Sequence, residues 1–363
     1  MKLEELLRIF DAEKASDLHL AAGSPPMLRT LHGMRFISDE PLKSEDTDSI
    51  VDSLLEARHR RRLEQKGACQ FSHTFGESVF RISVYRSRGQ LTLAIRHIPS
   101  ELPTLKEMEV PAVMEKLMQS RKGLLLLTGP AGSGKTTTLH GLVEYLNGNF
   151  HKHIIIIEDP IEYFHAHKKS ILNQREVGFD VPSSIEGVRQ SLEQDPDVLV
   201  IGQIDDLAMA EAALQAAESG HLVLATLNVG GTVHAINWLL DLAPETHRDQ
   251  MRQRIGSSLI GILSQVLLPP KKGEGSVPAY ELMISNPTIQ SLIRKNKIEQ
   301  IINVMHSEKT SGMRLLDDSL YELFEAGRVT KADMLNAAIE TVEIETRLQM
   351  LRAKEEQKRA FQE

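Results

Sequence analysis

Gly129-Pro-Ala-Gly-Ser-Gly-Lys-Thr136 is the stretch on which the reading of this 363-residue chain turns. Its spacing fits G-x-x-x-x-G-K-[ST], a loop that holds phosphate. The apolar run Gly123-Leu-Leu-Leu-Leu-Thr128 before it reads as a buried strand, and Thr137 to Tyr145 after it as a helix. Strand, glycine loop and helix form the context the motif requires. Gly129, Gly132 and Gly134 let the backbone approach an anion and take conformations that a Cβ would block. Pro130, Ala131 and Ser133 fill the loop between them. Its amides and the helix N-terminus, from Lys135 to Thr137, point at the phosphates. Lys135 adds a mobile positive charge, and the Thr136 hydroxyl is a ligand for Mg²⁺. The pattern predicts a nucleotide-binding chain.

Downstream of this loop, strands and helices alternate, which is the signature of a parallel sheet with crossovers. The strand candidates are Leu124–Leu127, His153–Ile157, Val198–Ile201 and Leu222–Thr226, each apolar on both faces as buried parallel strands are. An open α/β sheet binds its ligand at the carboxyl ends of its strands. At those ends stand Glu158-Asp159-Pro-Ile-Glu162, Gly202-Gln203-Ile-Asp205-Asp206 and Leu227-Asn228-Val229. Glu158 there either sits beside metal and attacking water or caps the next turn. His221, just before the last strand, either ends the preceding helix or serves the site. Residues 255–268 read as an apolar helix, and Pro269 to Gly275 as a surface turn. From Pro287 the pattern is helical, ending in a charged stretch that is either a solvated tail or a subunit contact.

Upstream, Leu3, Leu6, Leu7 and Phe10 fall at helical spacing, and a second helical stretch runs from Glu45 to Gln65. Ala15–Leu20, Met27–Leu31, Phe71–Val84 and Leu91–Ile98 read as strands, the last two as a hairpin around Arg88-Gly89. Helices mixed with antiparallel strands predict a small α+β domain ending near residue 100. Arg81, Arg86, Arg88 and Arg96 ride on its last strands. They are either a solvated face or arginine fingers for a triphosphate.

The totals bound these readings. There are 42 basic against 50 acidic residues, a net charge of −8, which argues against nucleic acid as a partner. The one cysteine, Cys69, rules out an internal disulfide and suits a reducing cytosol. The acid-bearing amphipathic start is not a signal peptide, and no apolar run approaches a membrane-spanning length.

The motifs together resemble a known group, the type II/IV secretion ATPase superfamily, and within it most closely the PilT-type retraction ATPases of type IV pili. The resemblance rests on Ala15-Ser-Asp-Leu-His-Leu20 with Gly23-Ser-Pro-Pro26, the Gly129–Thr136 loop, Ile157–Glu162, and Asn173-Gln-Arg-Glu176. Gln194–Val198, Ala217–Leu222, Glu281–Ile284 and Ser291–Arg294 extend it across most of residues 1 to 340. It implies a PAS-like N-terminal domain (1–100), a linker (101–112), a RecA-like P-loop NTPase core (113–285) and C-terminal helices (286–363). It also implies ATP with Mg²⁺ as cofactors. A cytoplasmic homo-hexamer at the inner-membrane pilus base would act through a membrane platform protein, with a paralogous retraction ATPase as a further partner. Carried over residue by residue, Glu158 is the base or water-orienting acid. Arg81, Arg88 and Arg96 match the region of charge-neutralising arginines.

Departures from the family pattern bear on turnover. The Walker B segment of the family reads Gly-Glu-hydrophobic-Arg-Asp; here it is Gly202-Gln203-Ile204-Asp205-Asp206. The second histidine of the His box that contains His221 is replaced by Asn228. Glutamine takes no proton and carries no charge. If the replaced group acts in acid–base chemistry, about 10²–10⁴ in rate is at stake. Asp205 or Asp206 could hold the metal's water instead. The phosphate grip is untouched, so ATP binding without efficient hydrolysis is the expected behaviour.

Overall fold

The computed structural model describes the chain except residues 1–2, 14, 31–32, 77, 99–101, 274 and 361–363, and the side chains of 351–360. Two compact units emerge. One comprises Met1–Leu102 together with Glu158–His165 and Gln174–Pro182; the other comprises Pro103–Ile157, Ala166–Asn173 and Ser183–Glu363.

In the first unit the helix α1 (Leu3–Ala12) is followed by β1 (Asp17–Ala21), β2 (Met27–Thr30) and β3 (Gly33–Phe36). Next come α2 (Ser44–Leu54), α3 (Ala57–Lys66), β4 (Ala68–Phe75), β5 (Ser78–Ser87) and β6 (Gln90–Ile98). The six strands form one antiparallel sheet in the order β3-β2-β1-β6-β5-β4. Period-two alternation turns Leu18, Leu20, Phe80, Ile82, Val84, Leu93 and Ile95 to one face, where they meet Leu6, Leu7 and Phe10 of α1. The α+β expectation is met. The single helix expected from Glu45 to Gln65 is two, because Leu55 takes an extended backbone between them.

The second unit is built on a seven-stranded sheet. Its strands are β7 (Gly123–Thr128), β8 (His153–Glu158), β9 (Ile171–Glu176), β10 (Val198–Ile201), β11 (Leu222–Leu227), β12 (Leu259–Leu268) and β13 (Val277–Ile284). The order is β13-β12-β7-β11-β10-β8-β9. Strands β8, β10, β11, β7 and β12 run parallel, and β13 closes the edge antiparallel to β12. This is the RecA-like arrangement of parallel strands and crossover helices. The helices are α4 (Val113–Leu117), α5 (Lys135–Asn149), α6 (Ser184–Ser191), α7 (Leu207–Glu218), α8 (Thr232–Asp241) and α9 (Arg248–Ser258). Five more close the chain: α10 (Pro287–Arg294), α11 (Ile301–Ser307), α12 (Leu316–Glu325), α13 (Lys331–Ala337) and α14 (Thr341–Ala360). Among the described residues no helix is long and apolar enough to cross a membrane.

One expectation is corrected here. Residues 255–268 are not one helix: α9 ends at Ser258, and the apolar run Leu259–Leu268 is strand β12, paired on both sides. A run apolar at nearly every position carries no period, so a buried strand and a buried helix read alike in it. The stretch 103–112 packs into the second unit: Leu105 and Val110 are buried in its core, and Tyr280 donates its hydroxyl to the Met108 carbonyl at 2.7 Å. Residues 158–165 and 174–182 cluster with the N-terminal residues.

Candidate functional site

The Gly129–Thr136 loop joins β7 to α5 at the carboxyl edge of the parallel sheet. Gly129, Gly132 and Gly134 all have positive φ (145°, 77° and 84°). Two of them also face close neighbours. A Cβ on Gly129 would stand 2.3 Å from the Gln265 carbonyl oxygen and 2.6 Å from Ser133 Oγ. A Cβ on Gly134 would stand 2.7 Å from Gln265 Nε2. Gln265 also accepts a hydrogen bond from Thr138 Oγ1 at 2.7 Å, so one residue of β12 lies close against two loop glycines and is tied to the first turn of α5. Gly129→Ala is therefore expected to cost about 2 kcal/mol or more, because it adds backbone strain to a clash with main chain that cannot swing away. Denaturant unfolding checks this; an unchanged midpoint would contradict the geometry.

Lys135 is 7% exposed and donates from Nζ to the carbonyls of Gly129 (2.9 Å) and Pro130 (2.8 Å). Burial pushes its pKa below the ordinary lysine value, since desolvation disfavours the charged form. An anion in the loop would repay that desolvation. Ser133 Oγ is buried without a hydrogen-bond partner, and buried hydroxyls normally have one. A phosphate oxygen would supply it. Beside the start of α5, Pro103, Met108, Thr137, Thr138, Leu267 and Tyr280 line part of a cavity of about 250 Å³.

The neighbouring strand ends complete the edge. Gln203 follows β10, is exposed, and donates its amide to Asp205. Thr226 of β11 holds this segment: its carbonyl accepts from Ile204 N (3.0 Å), and its Oγ1 donates to the Gly202 carbonyl (2.5 Å). Asn228 follows β11, in a loop whose Gly231 N–H donates to Ser264 Oγ (2.8 Å) and whose Thr232 N–H donates to the buried Glu281 carboxylate (2.6 Å). A Cβ on Gly230 in this loop would be 4.0 Å from Pro130 Cδ. The loop bearing Asn228 thus lies against the phosphate loop. Asp206 Oδ1 accepts from Met209 N at 2.8 Å and caps α7.

His221 stands apart. It precedes β11, its carbonyl accepts from the N–H of Gly123 at the start of β7, and its Nδ1 lies 3.0 Å from the Ala216 carbonyl. A six-residue strand separates it from Asn228, about 20 Å at the usual rise. Within one chain the structure does not bring it to the loop.

In the first unit, Glu158 is the last residue of β8, 4% exposed, and its carbonyl accepts from Val177 N at 2.9 Å. Arg81 and Arg96 face each other across β5 and β6, in a row continued by Asp17. Arg96 Nε donates to Asp17 Oδ1 at 2.8 Å, and Arg81 pairs with Glu162 at 3.2 Å. Arg88 sits apart from them at the hairpin tip with φ of 52°.

The Thr136 hydroxyl and the carboxylates of Asp205 and Asp206 are hard oxygen donors that suit Mg²⁺. This ion commonly combines one or two protein ligands with phosphate oxygens and water. Among the described residues there is no cluster of three or more His, Cys, Asp or Glu that could hold a metal.

Gln265 and Ser264 lie outside every motif quoted from the sequence, and Glu281 lies in one without a role assigned to it. The signal was present: a Ser-Gln pair interrupts the apolar run 259–268, and a lone acid stands within Val277–Ile284.

Comparison with known proteins follows the same lines. Residues 12–275 match the family described as type II/IV secretion system protein. The chain is 36% identical over 332 residues to the type IV pilus retractation ATPase PilT of Pseudomonas aeruginosa, covering 91% of this chain and 96% of that one. It is 33% identical over 336 residues to the type IV pilus ATPase PilU of the same organism, covering 92% and 88%. A crystal structure of the pilus retraction motor PilT with bound ADP superposes with a TM-score of 0.89 at 40% identity, covering 95% of this chain and 99% of that one.

Proposed function

The chain belongs to the type II/IV secretion system protein family, and from that premise we propose that it is an ATP-binding subunit of a type IV pilus machine, a hexameric PilT-like motor for retraction with slow turnover. The observation that carries this is the glycine loop itself. A buried lysine, a buried hydroxyl without a partner and three positive-φ glycines converge at a sheet edge, in a fold shared with a PilT that holds ADP. The loop amides and Lys135 bind the phosphates, Thr136 and Asp206 serve the magnesium, and the cavity beside Thr137 and Thr138 receives base and ribose. Mg²⁺ would screen phosphate charge. Glu158 orients the attacking water, and Arg81 and Arg96, with Arg88, neutralise charge. The hexamer works at the cytoplasmic face of the inner membrane through a platform protein.

Gln203 and Asn228 favour a second reading, an accessory subunit that binds ATP and assists an active paralogue. Likeness to both PilT and PilU accommodates either. Deleting the gene and scoring pilus retraction, with and without each related ATPase, tests the proposal. The expected result is weakened retraction, restored by the native gene and not by Lys135→Ala. Unaltered pili in every background would refute it. Phosphate release by the purified protein separates the two readings: about one turnover per second or faster, an ordinary enzyme rate, assigns the motor role to this chain itself.

A further inference from the structure

Helix α3 has the sequence Ala-Arg-His-Arg-Arg-Arg-Leu-Glu-Gln-Lys, and the function above leaves its arginines without a task. Two of them grip the segment 174–182, all within the first unit. Arg62, 24% exposed at its side chain, donates from Nη1 to the Val177 carbonyl at 3.4 Å and brings Nη2 to 3.9 Å from Asp159 Oδ1. It comes this close because Gly178 lacks a side chain: a Cβ there would stand 2.5 Å from Arg62 Nη1. The guanidinium carbons of Arg58 and Arg62 lie 5.0 and 5.8 Å from the centre of the Phe179 ring, in the range where a cation is drawn to an aromatic face. His59 meets the same ring edge-on at 5.1 Å and stacks on Phe71 of β4 at 4.3 Å.

The backbone of Val177 transmits this grip. Its carbonyl takes the Arg62 guanidinium, and its own N–H donates to the Glu158 carbonyl at 2.9 Å. Glu176 adds a second tie, accepting from Ile161 N at 3.3 Å, and is itself fixed by Asp180, which accepts from Glu176 N at 2.8 Å. Residues 158–162 are therefore held by 176–180, and 177–179 by α3.

We propose that Arg62, with Phe179 as its seat, is a positioning residue that sets the backbone of Glu158. The inference rests on the assignment of Glu158 as the water-orienting acid. A planar guanidinium that donates to a carbonyl while lying over a ring has no equivalent in lysine. A carboxylate displaced by about an ångström loses up to about a hundredfold in rate, while phosphates bound elsewhere are unaffected.

The test uses the full chain, native and carrying Gln203→Glu with Asn228→His, with Arg62→Met, Arg62→Lys and Phe179→Leu made in each. Amide hydrogen exchange of peptides covering 174–182 should speed up about tenfold in Arg62→Met and Phe179→Leu, with β5 and β6 unchanged as the control for folding. Turnover should fall about tenfold or more with KM for ATP within twofold, the split that marks loss of a transition-state interaction. Arg62→Lys should recover only part of it. Adding Arg62→Met to Glu158→Gln should cost nothing further. Unchanged exchange at 174–182, or losses that multiply with Glu158→Gln, would overturn the positioning role. Full turnover in Glu158→Gln alone would instead sink the assignment of Glu158, leaving the exchange result to judge the grip.

Discussion

Lys135→Ala is expected to weaken ATP binding by about a hundredfold or more, since it removes charge-assisted hydrogen bonds worth about 1.5–3 kcal/mol each. The native ammonium is nearly buried and held against the carbonyls of Gly129 and Pro130. It is thus already desolvated and lies where phosphate would arrive, so little further cost attends its use. Alanine leaves the loop amides in place and removes the charge. Calorimetry with ATP and magnesium reads the effect directly. Affinity retained within threefold would show that the loop does not bind through this lysine, and the nucleotide reading would lose its main support.

The second large effect runs the other way. Gln203→Glu combined with Asn228→His is expected to raise turnover by about 10²–10⁴, the range of a general acid or base restored. Both positions are accessible to such repair. Gln203 is exposed on a segment pinned by Thr226, and Asn228 lies in a loop held by Ser264 and Glu281. New side chains there inherit a fixed backbone. The native Gln203 amide donates to Asp205; a glutamate would repel that carboxylate and turn toward any cation nearby. Phosphate release by the doubly substituted protein decides it. An unchanged rate would mean that the block lies elsewhere, with Asp205 the next residue to replace.

Strands β7, β8, β10 and β11 of the parallel sheet could be read from the chain because each is apolar on both faces and ends in polar residues, whereas β12, equally apolar, reads as a helix. The glycine loop could be read because its spacing has one dominant physical use. What escaped did so for identifiable reasons. Strand β3, Gly33-Met-Arg-Phe36, is exposed at all four positions, so it has no inward face to betray it. Strand β9 carries Asn173-Gln-Arg-Glu176 and looks like a loop. Gln265 braces the phosphate loop from more than a hundred residues away, and no local pattern encodes a partner at that distance. His221 is tied to Asn228 only through the His box of the family, and within one chain a whole strand lies between them.

The first unit is not written as one continuous passage, since residues 158–165 and 174–182 complete it. A fragment cut after residue 102 would therefore lack the ring of Phe179 and leave His59 and the α3 arginines facing water. Anyone exchanging this portion between related chains, or expressing it alone, has three pieces to transplant. A chimera joined only at the obvious boundary would carry mismatched halves of one small fold.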